Sequence, residues 1–161
     1  MKFLIYIAAV FFSLITQELT EVRESYYAAS KSKQNAEKFH AMLSGYNKNN
    51  ATLLAYKGAA IVLKSKYVPK AKQKKELFVE GVTIVEKALK SEPANAEIHL
   101  IRLSIQENTP KALKYKGNIE EDKKLIVNSF DNQSKEVKEC IKKYVKQSAV
   151  FSEHEKKQIL K

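Results

Sequence analysis

The chain has 161 residues, 44% of them hydrophobic, with four glycines and three prolines. That is length for one domain whose core needs neither disulfide nor metal, and too few turn-formers for a protein of many strands. The formal charge is +11, but Arg23 and Arg102 are the only arginines, so specific nucleic-acid recognition, which leans on the bidentate guanidinium, is not expected.

Met1 and Lys2 precede a run from Phe3 to Ile15 that is apolar apart from Ser13. A short positive start and a hydrophobic stretch too brief to span a bilayer comfortably predict a signal peptide over residues 1–16. An uncleaved amino-terminal anchor is the competing reading. The rest, residues 17–161, is expected to be a single all-helical domain that is exported, periplasmic or cell-envelope associated.

Leu19, Val22, Tyr26 and Ala29 recur at helical steps between Glu18 and Ser30. A second helix starts near Lys33, carries Ala36, Phe39, His40 and Leu43, and stops at Ser44-Gly45, where glycine suits a left-handed cap. Asn49 or Asn50 can cap the third helix, Ala51 to about Ser65, which is apolar over most of its circumference and belongs mid-bundle. A lysine-rich connection from Lys64 to Lys75 follows. Its Lys64, Lys66, Lys70, Lys72, Lys74 and Lys75 surround Tyr67 as a basic patch, able to make weak contact with an anionic surface or simply to keep the connection solvated.

The fourth helix repeats Leu77/Phe78, Gly81/Val82, Ile84/Val85 and Ala88/Leu89 and ends before Pro93; Ile98, Ile101 and Ile105, with Leu100 and Leu103, mark the fifth. Thr109-Pro110 opens a short turn ending at Gly117, and Asn118 with Glu121 has the form of a capping box for a helix through Ile126 and Phe130. Val137, Ile141, Tyr144 and Val145 form the next stripe, with Cys140 inside it as a small buried hydrophobe. Ser152 with Glu155 is a second capping box before a terminal helix bearing Ile159 and Leu160.

Gly81-x3-Val85-x2-Ala88-x4-Pro93 resembles the second helix of a tetratricopeptide repeat, in which small residues let paired helices approach and proline ends the hairpin. The same grid places Ala36, His40 and Leu43 at equivalent positions, and Leu54 and Gly58 where the family has an aromatic residue and its close-contact glycine. The resemblance covers roughly Gln17 to Gln106; the chain departs from it in having no tryptophan and about eleven extra residues near Lys64 to Lys75. It implies an all-α fold of antiparallel helix hairpins stacked as a short array, with an irregular helical bundle as the alternative. The stretch Glu97 to Phe130 is also similar to small exported proteins of Bacteroidetes-type bacteria, a likeness that implies an address and no reaction.

No motif points to catalysis, a metal or a cofactor. His40, His99 and His154 lack metal-ligand spacing, and His154-Glu155 begins like a zinc-protease motif but meets Gln158 where the second histidine belongs. Glu120, Glu121 and Asp122 read as first-turn acids facing the helix dipole, free to pair with Arg102 as a clamp between hairpins. The expected function is therefore a non-enzymatic protein-protein interaction or scaffold module of the cell envelope, holding a protein or peptide partner on its concave face. Arg102, Gln106, Asn108 and Tyr115 are the expected surface contacts. Two alternatives stand beside it: an enzyme whose site assembles Arg102, Glu120, Glu121 and His99 in a deep polar pocket, and lysine-mediated attachment to an anionic surface.

Overall fold

The computed structural model describes residues 19–161, and the signal peptide expected over residues 1–16 lies outside them. The described residues are all-helical, without a strand. Helix α1 covers residues 19–29, followed by α2 (Lys33–Ser44), α3 (Ala51–Ser65), α4 (Ala71–Ser91), α5 (Ala96–Asn108), α6 (Ile119–Ser129), α7 (Lys135–Gln147) and α8 (Glu153–Leu160). Short 3₁₀ turns occupy Lys111–Leu113 and Phe130–Asn132. No helix among the described residues is long and apolar enough to cross a membrane.

Helix starts follow local chemistry. The side chains of Ser32, Asn50, Asn95, Ser134 and Ser152 each accept a hydrogen bond from a first-turn N–H, which satisfies a donor the helix itself cannot. Ser152 and Glu155 close their capping box in both directions. Asn118 and Glu121 do not: the Asn118 backbone N–H that the glutamate should receive donates instead to Gln106 Oε1 at 2.9 Å, and the Asn118 side chain caps nothing. Gly45 is likewise not left-handed, with φ −82° and ψ −2°. The left-handed position is Lys114, at φ 50° after the first 3₁₀ turn.

Helices α3 and α4 run antiparallel in close contact. A Cβ added to Gly58 would stand 2.5 Å from the Gly81 carbonyl oxygen, and one added to Gly81 would stand 2.6 Å from that of Gly58. Only glycine lets the two backbones meet there.

Two apolar clusters share α5. Ile98, Ile101 and Ile105 join a core with α1 to α4, built on Val22, Phe39, Leu53, Tyr56 and Val85. Leu100 and Leu103, on the other side of α5, join a second core with Ile126 of α6, Ile141 and Val145 of α7, and Ile159 of α8. Helix α5 is thus buried around most of its girth, and its polar residues are forced inside with it.

Candidate functional site

His99, Arg102 and Gln106 stand three and four residues apart on α5, so they share one helix face, and α6 lies over that face with Asp122 in its first turn. The Asp122 side chain has no exposed surface. Arg102 Nε donates to Asp122 Oδ1 at 3.1 Å and to Oδ2 at 3.0 Å, and its Nη2 donates to Oδ1 at 2.6 Å. Gln106 Nε2 adds a bond to Oδ2 at 2.8 Å. His99 Nδ1 lies 2.6 Å from Asp122 Oδ1, and His99 Nε2 lies 2.9 Å from the Pro93 carbonyl oxygen. A backbone carbonyl only accepts, and a carboxylate ligated by a guanidinium serves as an acceptor, so both ring nitrogens face acceptors and the surroundings favour the imidazolium form of His99. Burial works against that charge, but the bonds to Asp122 and Pro93 outweigh it and raise the His99 pKa.

An outer ring of acids completes the cluster. Arg102 Nη1 reaches Glu86 Oε2 at 3.2 Å and Nη2 reaches Glu121 Oε1 at 3.2 Å, while Tyr115 donates its hydroxyl to Glu86 Oε1 at 2.5 Å. Single donor atoms of His99, Glu121 and Asp122 lie within 4.8 Å of one another, near enough to ligate one cation. Arg102 already plays that part: Nη2 bridges both carboxylates, and a metal ion would have to displace a permanently charged group. The chemistry available to the cluster is that of an ionic clamp between α5 and α6.

The clamp corrects the expected surface contacts. Arg102 and Gln106 are 4% and 1% exposed, because α6 covers their face of α5, and neither is open to a partner. Tyr115 is half-buried, edge-on to Phe78 with ring centroids 5.7 Å apart. Asn108 alone of the four is exposed, its Nδ2 donating to the Ser104 carbonyl at 2.9 Å. Arg102, Glu120, Glu121 and His99 line neither the large groove described next nor a smaller hollow beside Phe130.

That groove has a volume of about 970 Å³ and is walled by the odd-numbered helices α1, α3, α5 and α7, with the start of α4 and the first 3₁₀ turn. Tyr26, Tyr27, Phe78, Ile101, Ile105 and Tyr144 give it an aromatic and aliphatic lining. Several polar groups in the wall are already engaged. Arg23 donates twice to the buried Glu97 carboxylate at 2.7 Å, which also accepts from Tyr56 at 2.7 Å. Tyr26 bonds Ser104 at 2.5 Å. Glu107 accepts from the Tyr144 hydroxyl, from Ser148 Oγ at 2.8 Å and from the Ala149 N–H at 2.7 Å. Cys140 is half-buried in the same wall, and burial raises its thiol pKa, which keeps it protonated and a poor nucleophile.

The basic patch is divided by the fold. Lys66, Lys74 and Lys75 line the groove, joined there by Lys143 of α7, whereas Lys64, Lys70 and Lys72 do not, and Lys72 pairs with Glu76 at 3.9 Å. Among the described residues no ion pair reaches Lys66, Lys74, Lys75 or Lys143. Sequence reading expected a concave face but did not find the residues of this wall, because they come from helices far apart in the chain; the tyrosines of α1 on a polar background were the available signal. Comparison of the chain with protein-family models, with curated proteins and with solved structures finds no match.

Proposed function

We propose that the protein is a non-enzymatic interaction module that holds a segment of a partner protein in the groove between its odd-numbered helices. The carrying observation is the wall itself: α1, α3, α5 and α7 turn toward one shared hollow, as the first helices of stacked hairpins do in arrays that bind along a concave face. The tetratricopeptide-like reading draws support from the Gly58 and Gly81 contact, which falls at positions the resemblance reserves for small residues. A cell-envelope address belongs to the same reading and rests on the apolar run over residues 1–16. The non-enzymatic part rests on the engagement of the titratable cluster, whose Asp122 carboxylate is bonded to His99, Arg102 and Gln106 and does not line the groove.

A benzophenone side chain placed at Asn108 or Gln147, both exposed and in the groove wall, tests this against the same probe at Met42 or Val79, exposed apolar positions outside it. Irradiation in cells is expected to give one recurrent protein adduct from the groove positions alone. Adducts from Met42 and Val79 only, or from none of the four, would end the proposal.

A further inference from the structure

We infer that the segment held in the groove is an acidic amphipathic helix of about two turns. This rests on the groove being the binding surface, and narrows what occupies it. An α-helix is about 10–12 Å across with its side chains and rises about 5.4 Å per turn, so a volume of about 970 Å³ takes roughly two turns. The lining supplies an apolar strip from the half-buried Tyr26 and exposed Tyr27 of α1 to the half-buried Leu113 of the first 3₁₀ turn and Tyr144 of α7, with Ile101 and Ile105 of α5 almost wholly buried at its base, suited to residues spaced i, i+3, i+4 and i+7 on the incoming helix.

Charge selects among amphipathic helices. Lys66, Lys74 and Lys75 stand where α3 passes into α4, Lys143 stands on α7, and none has an ion-pair partner among the described residues. Of the acids in the wall, Glu107 is committed to three donors and Glu24 alone is exposed without a bonded partner. The groove therefore offers four ammonium groups that have no carboxylate partner among the described residues, Lys143 lying 6.0 Å from the Tyr27 ring, against the single free carboxylate of Glu24, and a basic or neutral helix leaves that excess of positive charge in place. A helix with carboxylates flanking its apolar stripe neutralises the ammonium groups, and the formal charge of +11 draws it in from a distance.

The test is fluorescence anisotropy of the full chain with two labelled peptides of fourteen residues built on one leucine stripe, one bearing glutamates and the other glutamines at the same flanking positions. The acidic peptide is expected to bind about tenfold more tightly at low ionic strength, the scale of several partly exposed ion pairs acting together, and the ratio to shrink as salt is added. Lys74→Glu with Lys75→Glu, and separately Lys143→Gln, are expected to lower that ratio while the far-ultraviolet spectrum stays helical; the second, milder variant keeps the test open should the first not fold. Equal binding of the two peptides overturns the acidic occupant and leaves the groove reading standing. Binding of neither removes both. An unchanged ratio in both variants places the site elsewhere and overturns the inference, as does sedimentation with phosphatidylglycerol vesicles by a protein that ignores the acidic peptide.

Discussion

A carboxylate without exposed surface costs several kcal/mol to desolvate, and Asp122 offsets that cost through bonds from His99, Arg102 and Gln106. Replacing Asp122 with alanine leaves the buried Arg102 guanidinium only its outer bonds to Glu86 and Glu121 and takes an acceptor from His99 and Gln106, so the expected loss is about 3–5 kcal/mol, read from the urea midpoint. His99 gives the same contact a pH dependence. Its pKa is raised in the folded protein, so folding favours its protonated form and the stabilisation is complete below the ordinary histidine value of about 6.5. It is lost as pH climbs through the raised value. Burial lowers the pKa of His40, which gives a term of opposite sign, lost as pH falls; that term is common to wild type and His99→Gln and cancels between them. Wild type should therefore lose urea resistance from about pH 6.5 upward more steeply than His99→Gln, and parallel curves would remove the imidazolium from the account. The acids of the clamp were legible in the sequence as first-turn residues near Arg102. That Arg102 and Gln106 lie inside was not, because their burial depends on which side of α5 receives α6, and an amphipathic period says nothing about a helix covered on two sides.

Helix existence, by contrast, was written in local chemistry: apolar steps of three and four residues, and Ser or Asn at the starts. Glycine shows where that local reading holds and where it fails. Gly81 was marked by its spacing within α4, and its obstacle is the backbone carbonyl of Gly58, which cannot rotate aside. Gly58→Ala and Gly81→Ala are expected to push α3 and α4 apart and cost about 1–3 kcal/mol each in chemical denaturation. Gly45 was read as a left-handed cap, yet it has ordinary helical geometry and nothing within 4 Å of an added Cβ. Gly45→Ala should accordingly stabilise by about 0.4–1 kcal/mol through the unfolded chain. A destabilised Gly45→Ala would mean that this turn needs a conformation alanine resists. Sequence cannot separate the two kinds of glycine unless the facing helix is known.

At the scale of the molecule, α5 joins what would otherwise be two small cores. One face completes the cluster of α1 to α4 through Ile98, Ile101 and Ile105, and the other completes that of α6 to α8 through Leu100 and Leu103. The groove depends on the same helix, since its wall runs from α1 across α5 to α7, so the two halves hold their relative placement only while α5 is packed on both sides. Leu103 is fully buried and belongs to the second core alone, which makes Leu103→Ala a test of whether the halves are coupled. Emptying that site should cost about 2–5 kcal/mol. If α5 transmits the loss, amide hydrogen exchange will show α3 and α7 losing protection together, by similar factors, under conditions where exchange reports global opening. If protection falls in α7 and stays intact in α3, the second core opens by itself. The groove wall would then open at α7 without unfolding the α3–α4 pair, and the protein would release its occupant by local rather than global unfolding.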